Sequence, residues 1–191
     1  MTLKALKAIH RSWPFWLGLA LVLLLSPAGW THGGEPLPKE ALKKLFPQAD
    51  NFVTKPLGMK MERRKKLEAS LGAKLEDHDL NAPAYIASSK GRSIGIVWAT
   101  DAHLKKGMVD VIVGVDLNGK ITGVVLDHSN VPGLNMPAYL DQYKKLTTRS
   151  SFQEGKDLKP LSGQEASSKL VAAAVKKGVA IINESFLSKK P

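Results

Sequence analysis

Apolar and polar positions along this chain follow three successive rhythms: an uncharged run, a helical spacing and a two-residue alternation. The uncharged run covers residues 13–30 and is densest in apolar side chains over 15–25. Helical spacing starts at residue 39, where Ala41, Leu42, Leu45 and Phe46 fall on one face of a short helix over 39–46. Pro38 stands at its start, where a missing N–H costs nothing, and Pro47 ends it. Residues 51–60 are compatible with a strand. Residues 61–71 predict a second helix with a basic face of Arg63, Arg64, Lys65 and Lys66, closed by Gly72.

Alternation then takes over. Residues 84–88 predict a short strand, Lys90, Gly91, Arg92 and Ser93 a turn, and residues 94–100 a strand with Ile94, Ile96 and Trp98 on one face. Val109, Val111, Val113 and Val115 define a strand over 108–117 by strict period two. Asn118-Gly119 is a strong hairpin signal, and residues 121–127 return antiparallel. Residues 136–146 read as a helix with Tyr139, Leu140 and Tyr143 on one side, and 147–160 as a polar connection. The last element is a helix capped by Ser167 or Ser168 and running to about Asn183, with Leu170, Val171, Val175, Val179 and Ile182 toward the core. The expected fold is α+β: an antiparallel meander of three or four strands with packed helices, in one domain over 39–185. A linker (31–38) precedes that domain and a short tail (186–191) follows it.

The first thirty residues have a separate job. Lys4, Lys7 and Arg11 precede the uncharged run, the arrangement of a secretory signal, and Ser26-Pro27-Ala28 offers small residues for cleavage after Ala28. Alternatively, residues 13–30 stay as a membrane anchor, at the short end of the ~20 apolar residues that a span needs. Trp13, Trp16 and Trp30 would then sit at the two interfaces. In both cases the basic flank stays in the cytoplasm and the domain is extracytoplasmic (periplasmic). The chain has no cysteine, which excludes disulfides, thiolate metal sites and c-type haem attachment. Without residues 1–30 the chain keeps 25 basic against 17 acidic residues, a net +8. With few aromatics and an export segment, that charge points to an anionic membrane surface or an acidic partner rather than nucleic acid, or else to a merely solvated lysine-rich face.

Two loops hold the candidate chemistry. One runs Asp127-His128-Ser129-Asn130-Val131-Pro132-Gly133-Leu134-Asn135 after the hairpin. The other runs Leu161-Ser162-Gly163-Gln164-Glu165-Ala166-Ser167-Ser168 into the last helix. A Ser-Gly turn at a helix N-terminus presents backbone N–H groups to an anion such as phosphate. The same residues also read as an ordinary serine cap.

In order and spacing, residues 42–182 resemble the FMN-binding domain family, which includes the flavin subunits of Rnf-type and sodium-pumping membrane redox complexes. The resemblance runs through Leu45-Phe46-Pro47, the hairpin around Asn118-Gly119-Lys120-Ile121-Thr122-Gly123, and His128-Ser129 with Pro132-Gly133-Leu134. It continues at Tyr139 to Tyr143 and closes on Ser162-Gly163 and Ser167-Ser168 before the alanine-rich helix. It implies an electron-transfer domain with FMN near His128, Pro132, Gly133, Leu134, Ser162, Gly163, Ser167 and Ser168. The implied partners are subunits of a membrane redox complex or electron carriers.

One departure is decisive. The family's Ser-Gly-Ala-Thr turn, whose threonine esterifies FMN, reads Ser162-Gly163-Gln164-Glu165 here. Glu165 has no hydroxyl, so this covalent link cannot form, and the neighbouring hydroxyls of Ser162, Ser167 and Ser168 are displaced from the family position. The Glu165 charge also opposes a phosphate, by about 1 kcal/mol at ~4 Å even in bulk water. An acid in the first helical turn is by itself favourable to the dipole. Asn130, Val131 and Asn135 depart from the family's other loop as well. Two further readings follow: a cofactor-free docking subunit of a redox complex, and a haem relay. For haem, His32, His78, His103 and His128 and Met59, Met61, Met108 and Met136 supply candidate axial ligands, with no spacing that singles out a pair. No nucleophile–base pair, Walker loop or paired-carboxylate site stands out, which leaves hydrolase chemistry without support.

Overall fold

The structure, a computed structural model, describes residues 36–105 and 107–188. The proposed signal or anchor at 1–30 lies outside the described residues. Among the described residues, no helix is long and apolar enough to cross a membrane.

The chain folds as an α+β domain around five antiparallel strands in sequential order: β1 (Asn51–Lys55), β2 (Ala84–Ser89), β3 (Arg92–Leu104), β4 (Gly107–Asp116) and β5 (Ile121–Asp127). Alternation along β4 sends Val109, Val111, Val113 and Val115 to one face, where they pack with Trp98 against the long helix α5 (Glu165–Ile182). Ile112, Val97 and Ala87 point to the other face, under α1 (Lys39–Leu45). The sheet therefore has a helix on each side, with two cores separated by the strands.

Close approach explains both layers. On the α1 face, Gly95, Gly114 and Gly123 leave a shallow trough across β3, β4 and β5. The Phe46 ring lies over Gly95 and Gly114, and Leu45 over Gly114 and Gly123. Phe46 is 1% exposed, so the Leu45-Phe46-Pro47 sequence is a plug cut to fit that trough. On the other face α5 approaches most closely at Gly178. A Cβ on Gly178 would stand 3.0 Å from Val113 Cγ1.

Several sequence expectations need correction. The strand at 51–60 stops at Lys55, since Pro56 has no N–H for a ladder and Gly58 takes a positive φ of 58°. β3 continues past residue 100 to Leu104, paired to β4 throughout. Ile94 leaves the Ile96–Trp98 face because β2 pairs Ala87 with Gly95 and Ser88 with Ser93, which makes Ile94 the extra residue of a bulge. The helix at 136–146 is a single turn, α4 (Pro137–Leu140), followed by a 3-10 turn over Asp141–Lys145. α5 starts at Glu165 with Gln164 as its N-cap, not at Ser167 or Ser168. Leu170 is 42% exposed, and buried Ser168 takes the inward position instead. Three further helical segments are α2 (Met61–Leu71), closed by a left-handed Gly72, the unanticipated α3 (Asp77–Asn81), and a π-helical turn over Asn183–Leu187 that continues α5.

Candidate functional site

β5 delivers the first loop. His128 follows the strand with a left-handed φ of 57°, and its N–H donates to Asp127 Oδ1 at 2.9 Å. β4 and β5 pair Asp110 directly with Asp127. His128 Nδ1 lies 3.3 Å from Asp110 Oδ2 and 3.7 Å from Asp127 Oδ2. Further along, Leu134 is fully buried in the α5-side core, and Met136 N–H donates to Gly133 O at 3.1 Å. Pro132 is exposed. Ser129 Oγ is buried and has no hydrogen-bond partner among the described residues.

The second loop meets the first. Gly133, at a φ of 84°, lies so close to Leu161 that a Cβ there would stand 3.0 Å from Leu161 Cδ2. The contact is fixed from behind by Tyr139, whose hydroxyl lies 3.2 Å from Ser168 O and 3.2 Å from the Tyr143 hydroxyl. Burial pushes both phenols above their usual range. Ser168 itself is 0% exposed. Its Oγ donates to Glu154 Oε1 at 2.7 Å and accepts from Leu161 N–H at 3.4 Å. This serine holds the loop to the helix, so its hydroxyl is already committed. Ser167 is half-buried, and Ser162 and Gly163 are exposed at the turn.

Glu165 closes that turn. Gly163 N–H donates to Glu165 Oε1 at 2.9 Å. Hydrogen bonds from Glu165's own N–H and then from Gly163 N–H hold this carboxylate below the usual range. The amides that would meet a phosphate thus carry a resident anion. A phosphate reaches these amides only if Glu165, an exposed side chain, swings aside.

Hydrophobic periodicity does not reveal a second polar cluster, where α3, β3 and α5 meet. Lys177 Nζ lies 2.8 Å from Asp79 Oδ1 and 3.9 Å from Asp101 Oδ1. His78 Nε2 and His103 Nε2 each lie 2.8 Å from one oxygen of Asp101. Asp79 is 1% exposed, and the Thr100 hydroxyl donates to it at 3.4 Å. His78, Asp79 and Asp101 have the spacing of metal ligands, as do Asp110, Asp127 and His128. In the first group the Lys177 ammonium already supplies the cation, which makes the cluster an anchor for α3 rather than an open metal site. His78, His103 and His128 each turn a ring nitrogen to a carboxylate. Periodicity misses this cluster because α3 is five residues long and almost wholly polar (DHDLN). The one local sign was Glu76 with Asp79, which close a capping box at its start.

Neither a protein-family model nor a curated protein matches this chain.

Proposed function

We propose that this chain is an extracytoplasmic, membrane-associated electron-transfer protein of the FMN-binding type, with flavin held non-covalently along the face where its two loops meet. The observation that carries this reading is the seating of Gly133 against Leu161. It brings together the two segments on which the family resemblance rests. The Ser129 hydroxyl, which has no hydrogen-bond partner among the described residues, adds a donor in the same loop that a bound ligand would satisfy. Flavin supplies the electron-accepting chemistry, and the chain's share is to hold and orient it. Glu165 must yield Gly163 N–H to a phosphate. Exchanging one exposed hydrogen bond for another is a step of about 1 kcal/mol, which lowers the affinity only severalfold.

The same hydrogen bond supports a second reading. A turn that carries its own carboxylate needs no ligand, and a cofactor-free docking subunit of a redox complex would have this form. The visible spectrum of the protein purified from the exported fraction, before and after acid precipitation, separates the two. Flavin absorbance in the acid supernatant is the expected result, and Glu165→Gln should tighten FMN binding about tenfold or less, the repulsion being ~1 kcal/mol. A Soret band would point to the haem relay. Colour retained in the pellet would refute the argument from Glu165. Colourless protein, with no FMN uptake by either form, would leave the docking subunit.

A further inference from the structure

A cleft of about 260 Å³ opens at the other end of α5, between that helix, α2 and the segment 147–152. Along the axis of α5, Lys176 lies about 16 Å from the Glu165 turn, at 1.5 Å per residue. This cleft is therefore separate from the two-loop face. Its lining includes Lys66 from α2, Lys176 from α5, Thr148 and Ser150, with Phe152 among its apolar residues.

The charge balance is what marks it. Among the described residues, Lys66 and Lys176 make no ion pair or hydrogen bond. The one acid in the lining, Glu184, is engaged elsewhere: its carboxylate lies 4.0 Å from Arg63 Nε and its carbonyl accepts Arg63 Nη1 at 3.0 Å. Two lysine charges therefore line the cleft with no ion-pair partner among the described residues. Ser150 Oγ accepts Thr147 N–H at 3.0 Å, which leaves its own proton to donate. The segment is held in shape by Asp157, whose carboxylate takes Ser151 Oγ at 2.6 Å and Phe152 N–H at 2.8 Å. Phe152 pays for this with a left-handed φ of 59°.

We propose that this cleft binds a phosphorylated group, through the charges of Lys66 and Lys176 and the hydroxyls of Thr148 and Ser150. Lysine ammoniums and hydroxyl donors are suited to the tetrahedral oxygens of phosphate. The volume falls below the roughly 300–1,000 Å³ of sites that enclose drug-sized ligands. It suits a phosphate with a small organic body, such as a phosphomonoester or a lipid headgroup, and not a nucleotide.

The test is amide NMR on the full chain in micelles of an uncharged, phosphate-free detergent at constant ionic strength. One arm titrates inorganic phosphate, and the other dopes the micelles with phosphatidylglycerol. The expected result is saturable perturbation of Thr148, Ser150 and their neighbours on α2 and α5. The double substitution Lys66→Gln, Lys176→Gln should weaken it at least about tenfold, while Lys65→Gln on the same helix leaves it unchanged. Perturbation by phosphate alone assigns the site to a soluble phosphate. Perturbation by phosphatidylglycerol that phosphate competes away assigns it to the lipid surface. Should the double variant fail to fold, Lys66→Gln alone, at an exposed position, must still weaken binding severalfold. No saturable effect in either arm, or equal affinity in the folded variants, overturns the proposal.

Discussion

At the scale of single residues, the most consequential group is Lys177. Its ammonium stands between two carboxylates that are almost completely withdrawn from water, 2.8 Å from Asp79 and 3.9 Å from Asp101. Buried ion pairs add little net stability compared with an apolar substitute, but removing one partner leaves a charge with no solvation. Lys177→Met should therefore cost about 3–5 kcal/mol, which for a domain of this size lowers Tm by roughly 6–20 °C. Adding Asp79→Asn should recover part of that loss, because the orphaned charge goes with it. Differential scanning calorimetry of both variants checks this, and equal Tm values for them would show that Lys177 acts through packing instead. Nothing in the sequence pairs residue 79 with residue 177, since the contact depends on a five-residue helix without periodicity. Glu165 is the opposite case. Its place in the Ser162–Ser168 turn is legible from sequence, whereas its hydrogen bond to Gly163 emerges only from the fold.

At the scale of elements, helix α1 and the glycine trough beneath it form one unit. A methyl on Gly95 would collide with the Phe46 ring and stand 2.7 Å from Val115 O. The ring can tilt but the carbonyl cannot, so Gly95→Ala should destabilise by about 1–3 kcal/mol, the usual range for overpacking. Phe46→Leu in the same background should restore only the part due to the ring, as urea midpoints at unchanged m-value would show. The elements themselves were largely legible. The valines of β4 and the Asn118-Gly119 turn specify a hairpin, and Ala41, Leu42, Leu45 and Phe46 specify the buried face of α1. Reading fell short where tertiary contact overrides local pattern. A bulge reassigns Ile94 to the other face, pairing with β4 carries β3 to Leu104, and the inward turn of Ser168 displaces Leu170 from the core. Of the candidate site, the two loops could be named from sequence, but not the contact of Gly133 with Leu161 that joins them.

At the scale of the whole molecule, titrating groups brace separate local segments, and each contributes stability over its own pH range. Glu68 is held below the usual carboxylate range by Arg64 and by Leu75 N–H, which ties the end of α2 to the chain that follows it. Asp157 is held there by Ser151 and Phe152 N–H, and Glu165 by its own N–H and that of Gly163. A carboxylate with a lowered folded value contributes stability that is complete above its unfolded value, near 4. That contribution is lost as pH falls through the folded value. The buried phenols of Tyr139 and Tyr143 have the opposite sign, since burial raises their values and keeps them protonated. Their contribution is complete below the unfolded value, near 10, and declines as pH rises beyond it. Denaturation midpoints measured from pH 2.5 to 11 should therefore show a plateau with an acid limb below about 4 and an alkaline limb above about 10. Combined Glu68→Gln, Asp157→Asn and Glu165→Gln should flatten the acid limb and leave the alkaline one. Tyr143→Phe should do the reverse, lowering the plateau by about 1 kcal/mol for the lost hydrogen bond to Tyr139. An acid limb unchanged in the triple variant would mean that these three carboxylates do not fasten their segments, and that acid unfolding starts elsewhere in the molecule.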